Sequence, residues 1–213
     1  MSIRSRRTAI MEAAEQLFRA GRIHEITLDE VAQQAGVGKG TIYRYFADKD
    51  DLFFQVATSG FDDLCELVRG LVSPSLSFEE QLLAIAKEIV GYFEARRELF
   101  LMMQSEDARM PSCNVSLRAR WLERRKKLTV AVADILQRGI AEGILRNDMP
   151  AELMAHFLLG LLRARVMDLT EFPSDMQRVE LVVAFFCTGA FAMNAPSELA
   201  GSRSHHVDAM VAN

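Results

Sequence analysis

Apolar positions recur along most of the chain at the three-to-four-residue spacing of amphipathic α-helices. Near the start, Ile10, Ala14, Leu17 and Phe18 fall on one face of a first helix, which is expected to end at Gly21. Glycine commonly ends a helix because it adopts the left-handed conformation at little cost. No stretch shows the two-residue alternation of a half-buried strand. The pattern therefore predicts an all-α protein with about nine helices.

Two further short helices are predicted directly after the first. Thr27 and Glu30 have the spacing of a capping box, in which each side chain satisfies a backbone amide at a helix start. A third helix opens near Lys39, and its apolar residues Ile42 and Phe46 lie one turn apart. The three helices are thus expected to share one small core.

Longer helical patterns cover the rest of the chain and predict a larger body. A connecting helix is expected at 49–70, and the body helices at 78–93, 99–106, 115–142, 150–169 and 174–193, with a loop at 111–114. The chain is accordingly divided into a head of residues 1–48, a body of residues 49–194 and a flexible tail of residues 195–213.

Composition favours a cytoplasmic protein that folds without disulfides. The 213 residues are 50% apolar, and Cys65, Cys113 and Cys187 form no C-x-x-C pair, so neither a disulfide framework nor a zinc site is indicated. The N-terminus has no apolar stretch of signal-peptide type, and the longest apolar run, residues 181–193, is too short to span a bilayer. We therefore expect no membrane contact.

The charge is unevenly distributed. The net charge is −4, yet residues 1–46 carry seven Lys and Arg against five Asp and Glu, which leaves −6 for the remaining 167 residues. Since the protein as a whole does not attract nucleic acid, any contact with DNA must be local to the head.

Residues 36–46, GVGKGTIYRYF, combine glycines, basic residues and aromatic residues. They do not fit a P-loop, because the lysine lies between two glycines. They do not fit the dinucleotide-binding fingerprint G-x-G-x-x-G either, because the segment before them has a helical pattern rather than that of a strand. A helix-turn-helix fits better: Gly36 forms the turn, and the third helix enters the major groove of DNA.

The third helix would present a polar side to DNA. On a helical wheel, Thr41, Arg44 and Tyr45 face away from Ile42 and Phe46. The residues around this side are also suited to phosphate, since small glycines let backbone amides approach an anion and lysines supply positive charge. These residues are Gly38, Gly40, Lys39 and Lys49.

The string TLDEVAQQAGVGKGTIYRYFADKDDL, with the helix ahead of it, resembles the DNA-binding head of the TetR family of bacterial transcriptional regulators. The resemblance covers about residues 8–54, and its A-G-V-x-K-G-T-[IL]-Y-x-[YH]-F-x-x-K pattern is specific. Gly38 departs from it, since many members have serine there. The resemblance implies phosphate contacts from Thr27, Lys39, Tyr45 and Lys49, and base-edge or sugar contacts from Gly40, Thr41, Tyr43 and Arg44.

Several of these residues have an alternative role. Tyr43 and Tyr45 could pack in the core of the head, and Arg44 could be an ordinary solvated charge. Thr27 could simply cap its helix, a role that is compatible with a phosphate contact.

The two last helices predict a homodimer. Residues 181–193 are apolar on all sides, and residues 154–167 carry small residues among apolar ones. Because a helix that is apolar all round has to be covered on every side, we expect a four-helix interface with a second subunit; a purely internal core is the alternative. The expected interface comprises Phe157, Gly160, Leu161, Ala164, Val182, Phe185, Phe186 and Gly189.

The central helices supply aromatic and methionine side chains that are suited to an apolar ligand cavity, although plain core packing is the alternative for each. The candidates are Phe93, Phe100, Met102, Met103, Trp121 and Phe157. The family resemblance implies that an unidentified small, lipophilic effector binds the body, shifts the connecting helix and releases a repressor from a palindromic DNA operator.

Other functions fit less well. The histidines His24, His156, His205 and His206 are scattered with no H-E-x-x-H pairing, so no enzyme, metal or cofactor is expected. A lipid carrier would explain the apolar body but not the polar side of the third helix. The basic segment 118–128, RARWLERRKKL, is interpreted as a solvated helix face, with an anionic ligand or nucleic acid as alternatives.

Overall fold

The computed structural model describes residues 3–20, 25–71, 75–107 and 114–190. Over these ranges the chain forms ten α-helices and one 3-10 turn, without a strand, and the predicted all-α class is confirmed. The helices are α1 Ile3–Ala20, α2 Leu28–Gln34, α3 Lys39–Ile42, α4 Lys49–Ala57, α5 Phe61–Gly70, α6 Phe78–Ala95, α7 Arg97–Asp107, α8 Asn114–Ala141, α9 Ala151–Met167 and α10 Val179–Ala190, and the 3-10 turn is Ser174–Gln177.

Helices α1, α2 and α3 share a core with the start of α4. Ile10 of α1, Val31 of α2 and Ile42 of α3 are fully buried together. The ring of Phe18 packs edge-on against that of Phe53 in α4, with 5.3 Å between the ring centroids. The predicted small core is therefore present, and it extends into the helix that leads to the body.

The prediction of one continuous connecting helix at 49–70 is wrong, because the structure divides this segment into α4 and α5. Gly60 has φ of +73°, which is outside the helical region, and the Thr58 hydroxyl donates a hydrogen bond to the Phe54 carbonyl at the end of α4. In the predicted helix, Phe61 continues the apolar side of α4, whereas in the structure it is a buried residue that begins α5. This division accounts for a count above the expected nine.

The body is built around α8, which has 28 residues and packs against α5 and α9. Helix α10 lies against α6 and α9. The helix predicted at 174–193 begins later than expected, at Val179, because Arg178 is extended and separates α10 from the 3-10 turn. The other body helices begin and end close to the predicted positions.

Some predictions lie outside the described residues. They concern the end of the first helix at Gly21, His24, residues 111–113 with Cys113, and the tail 195–213 with His205 and His206. Of the helices described, none combines the length and the apolar character needed to cross a membrane. The described His, Cys, Asp and Glu residues likewise form no group of three that could hold a metal ion.

Candidate nucleic-acid interface

The start of α2 carries the predicted capping box. The Glu30 amide donates to Thr27 Oγ1 over 3.2 Å, and the Thr27 amide donates to the Glu30 carboxylate over 2.7 Å. The hydrogen bond from the Thr27 amide and, next in effect, one from the Thr27 hydroxyl to the same carboxylate over 2.8 Å lower the pKa of Glu30. They fix where α2 begins, since isolated helix ends leave amides without partners.

A tight turn joins α2 to α3. Gly36 has φ of +64°, a conformation in which a residue with a Cβ is strained. The amide of Val37 donates to the carbonyl of Ala32 over 3.0 Å and closes the end of α2. The turn therefore sets the angle at which α3 leaves the head.

Two buried side chains hold α3 on the head. Ile42 is fully buried and Phe46, one turn later, is 1% exposed. The Phe46 amide donates to the Ile42 carbonyl over 3.0 Å, so the chain keeps a helical turn between them. Because both anchors point inward, the side chains on the opposite side of this segment are turned toward solvent.

The structure places the two tyrosines of this segment differently. Tyr43 is 52% exposed, and Arg44 is exposed beside it. Tyr45 is half-buried and lies against the core, with its ring centroid 6.4 Å from that of Phe46. Thr41 is half-buried. The prediction that Tyr45 faces away from the core is therefore wrong, because its ring packs beside Phe46, and the exposed part of the polar side consists of Arg44 together with Tyr43.

Gly38 and Gly40 face open space. A Cβ added at either position would meet no heavy atom of the described chain within 4 Å. Packing within the protein therefore does not require glycine at these positions. A requirement for glycine would have to come from something that approaches the backbone from outside.

The two lysines already have partners inside the head. Lys39 Nζ lies 2.8 Å from Asp29 Oδ2, and this hydrogen bond raises the pKa of Lys39. Lys49 Nζ donates to the Ile26 carbonyl over 3.1 Å, which ties the start of α4 to the segment before α2. The Lys39 amino group therefore lies beside the first turn of α2, and the Lys49 amino group beside the segment that precedes α2.

A polar network that the sequence did not predict joins the head to the body. Asp51 of α4 accepts hydrogen bonds from Arg120 of α8 over 2.9 Å, from Gln55 over 3.0 Å and from the Ala47 amide over 3.0 Å. Arg7 of α1 donates to Gln55 over 2.5 Å. Burial raises the pKa of Asp51, but these hydrogen bonds outweigh it, so the pKa lies below its ordinary value.

The basic segment 118–128 is thus only partly a solvated face. Arg124 and Lys127 both pair with Asp62 of α5, over 3.3 Å and 2.9 Å, and lower its pKa, with the hydrogen bond from Lys127 as the largest cause. The guanidinium of Arg120 lies 4.1 Å from the ring centroid of Phe54. One side of α8 therefore holds α4 and α5 in place.

Most of the expected effector-site residues lie near one another. Phe93, Phe100 and Trp121 form a ring cluster with Phe61 and Tyr92, with centroid distances of 5.0 Å between Phe93 and Phe100 and between Phe100 and Trp121. Met103 is buried and Met102 half-buried on the adjoining α7. Phe157 lies elsewhere, on the outer side of α9.

The outer side of α9 and α10 is apolar and open. Phe185 is 73% exposed and Phe157 is 52% exposed, although Phe186 behind them is buried. A depression of about 460 Å³ lies between the two helices. Six of the eight expected interface residues line it: Phe157, Gly160, Leu161, Phe185, Phe186 and Gly189. Ala164 and Val182 are half-buried on the same helices.

A three-helix head that anchors a short second helix of a helix-turn-helix, and leaves the polar side of that helix exposed, defines a DNA-binding protein of the helix-turn-helix class. Comparison with known proteins agrees. The family described as "Bacterial regulatory proteins, tetR family" matches residues 10–56.

Relatives extend the similarity over most of the chain. It is 30% identical over 170 residues to the uncharacterized HTH-type transcriptional regulator YhgD of Bacillus subtilis (strain 168), covering 79% of this chain and 85% of YhgD. It is 27% identical over 157 residues to the HTH-type transcriptional repressor AcnR of Corynebacterium diphtheriae, covering 74% and 77%.

The fold is also that of solved regulators. The structure of the transcriptional regulator FadR from Bacillus subtilis in complex with stearoyl-CoA superposes with a TM-score of 0.67 at 20% identity, covering 85% of this chain and 95% of that one. The protein belongs to the TetR family and is a DNA-binding transcriptional regulator. This family and these relatives are regulators, not enzymes.

Proposed function

We propose that the protein is a repressor that binds a palindromic operator as a homodimer and is released by a small lipophilic effector. The observation that carries the DNA-binding part is the exposed side at the end of α3, where Tyr43 and Arg44 directly follow the helix and lie between the buried anchors Ile42 and Phe46. In the proposed complex this side lies in the major groove.

The proposed contacts divide by chemistry. Arginine can pair with both acceptors of a guanine, so Arg44 is assigned to sequence discrimination, with Thr41, Tyr43 and the Gly40 backbone beside it. Phosphate contacts fix register and orientation without reading sequence. They are assigned to Thr27, Gly38, Lys39, Tyr45 and Lys49.

The proposed dimer uses the open apolar side of α9 and α10. Phe157 and Phe185 would lose their exposure to water against the same helices of a second subunit, which is favourable in proportion to the apolar area covered. Two heads related by a two-fold axis would read half-sites about 34 Å apart, or multiples of this distance, which is why the operator is expected to be palindromic.

The proposed effector site is the ring cluster of Phe61, Tyr92, Phe93, Phe100 and Trp121. It draws on α5, α6, α7 and α8, and Trp121 directly follows Arg120, which holds Asp51 of α4. The complex of Bacillus subtilis FadR with stearoyl-CoA supports a lipophilic ligand for this fold. Release requires that the effector bind more tightly to the arrangement of the heads that does not fit DNA than to the arrangement that does.

The DNA-binding proposal is tested by selecting genomic fragments with the protein and measuring affinity over a range of salt. We expect Lys39→Ala to weaken binding to every sequence and to flatten the plot of log affinity against log salt by about 0.9. Arg44→Ala should mainly relax the preference at one base position, by about 1–3 kcal/mol. Arg138→Ala, at an exposed position of α8, is the control.

An equal loss from both head variants on every sequence would contradict the assignment. The effector proposal has its own test, which is release of the selected fragment by a panel of lipophilic compounds. Operator affinity that stays the same across a broad panel would count against it. Binding of chromosomal operator DNA also implies a cytoplasmic protein, which is part of the proposal.

A further inference from the structure

The amino group proposed to bind a DNA phosphate is occupied by a carboxylate of the same head. Lys39 lies at the start of α3 and Asp29 in the first turn of α2, and their charged atoms are 2.8 Å apart. The two side chains are 57% and 60% exposed. An ion pair this exposed is weak, so a competing anion can open it.

The neighbouring acid has a different task. The carboxylate of Glu30 accepts hydrogen bonds from both the amide and the hydroxyl of Thr27, and it therefore caps α2. The Asp29 carboxylate is not part of this box, and its hydrogen-bond partner is on another helix. Asp29 also lies in the first turn of α2, where negative charge is favourable, but its hydrogen bond goes to Lys39.

A phosphate that binds Lys39 would have to displace Asp29. The two anions cannot share the amino group, because anions a few ångströms apart repel each other and the separation is shorter than the Debye length. Displacement gives up the ion pair between Lys39 and Asp29, so DNA binding is less favourable than it would be with an uncharged residue at position 29.

We propose that Asp29 is an intramolecular competitor for DNA phosphate, which lowers the affinity of the head for all duplex DNA by occupying Lys39. The inference rests on the proposed phosphate contact of Lys39. Because such contacts carry no sequence information, Asp29 acts equally on operator and unrelated DNA and sets the overall scale of affinity.

The test is a double-mutant cycle with the full-length protein. Binding is measured for the wild type, Asp29→Asn, Lys39→Gln and the double variant, on the selected operator and on an unrelated duplex of equal length. Glu66→Gln is the matched control, because it removes the same charge from an exposed ion pair within α5 of the body. Thermal unfolding verifies that each variant is folded.

At about 0.1 M salt we expect Asp29→Asn to bind both duplexes about two- to fivefold more tightly, in line with the strength of an exposed ion pair. Lys39→Gln should bind both about three- to tenfold more weakly, as expected for one lost phosphate contact. When Lys39 is already replaced by Gln, Asp29→Asn should leave the affinity for both duplexes unchanged. The control Glu66→Gln, made in the wild type, should also leave it unchanged.

Unchanged or weaker binding by Asp29→Asn would overturn the inference, and weaker binding would mean that Asp29 orients Lys39 for DNA instead. The same gain with and without Lys39 would also overturn it, because the effect would then be general repulsion. Wild-type affinity of Lys39→Gln would refute the phosphate contact itself, so a failure of the proposed function is distinguished from a failure of the inference.

Discussion

At the residue scale, Gly40 shows how open space beside a glycine can point to an external partner. It lies within α3, where alanine would be the better helix former by about 1 kcal/mol, and a Cβ there would meet no atom of the described chain. Packing in the free protein gives no reason for glycine at position 40, so we assign it to the proposed approach of DNA to the α3 backbone.

We predict that Gly40→Ala leaves the free energy of unfolding unchanged or raises it by up to about 1 kcal/mol. DNA affinity should fall by about five- to a hundredfold, because the new methyl group overpacks a close approach to the backbone. Denaturant unfolding and operator titration measure the two effects.

Gly91→Ala is the control for this variant. Gly91 is an equally open, exposed glycine within α6 of the body, so its substitution should give a similar change in stability with wild-type DNA affinity. Gly40→Ala with wild-type affinity would show that DNA does not approach the α3 backbone at this position.

At the scale of elements, the arrangement of α4 depends on one aspartate. Asp51 receives donors from its own helix, from the preceding turn and from Arg120 of α8, and its side chain is only 17% exposed. A bound effector that moved Trp121 would move Arg120 with it, since the two residues are consecutive. In the proposed mechanism, the ion pair of Arg120 and Asp51 therefore lets α8 act on α4, which packs against α1 of the head.

We predict that Asp51→Asn lowers the free energy of unfolding by about 1–3 kcal/mol at neutral pH, because it replaces charge-assisted hydrogen bonds. The pKa of Asp51 is lowered on folding, so its contribution is complete above the unfolded-state pKa of about 3.9. The contribution is lost as pH falls through the lower folded-state value.

The difference in stability between the wild type and Asp51→Asn should therefore shrink below about pH 4, as measured by denaturant titrations at several pH values. Asp134→Asn makes the same change at an exposed position of α8 and should have little effect at any pH. A difference that grew toward low pH would contradict the assigned hydrogen bonds.

At the scale of the whole molecule, the open side of α9 and α10 leaves large apolar side chains of a single chain exposed to water. A contiguous apolar surface of this kind is uncommon on proteins that act as monomers. In the proposed dimer, Phe157 and Phe185 are covered by the second subunit, and the two heads come into one two-fold frame.

We predict that Phe185→Asp converts the dimer to monomers at micromolar concentration, because a charge would have to be buried without a partner. Operator affinity should fall toward that of a single half-site. Sedimentation equilibrium and operator titration measure the two effects. Phe172→Asp is the control, since Phe172 is 55% exposed on the connection between α9 and α10. A Phe185→Asp protein that remained dimeric would refute the interface.

The sequence by itself determined the features that depend on neighbours within about one helical turn. The capping box of Thr27 and Glu30, the turn at Gly36 and the buried pair Ile42 and Phe46 all follow from such spacings, because caps and helix faces are local. A local signal for the division of 49–70 was also present. The apolar positions Val56 and Phe61 are five residues apart, which a continuous helix does not favour, and Gly60 lies between them.

Only the tertiary structure decided which distant side chains meet. Asp51 and Arg120 are 69 positions apart, and Lys39 and Asp29 are on different helices. Phe157 is expected from the sequence in the effector cavity with Phe93, Phe100 and Trp121, but it lies on the outer side of α9, away from their ring cluster. The periodic pattern specifies which face of each helix is buried, but not which helix covers it. That choice is made by the packing of all the helices together, because each contact gains its free energy only when the other elements are in place.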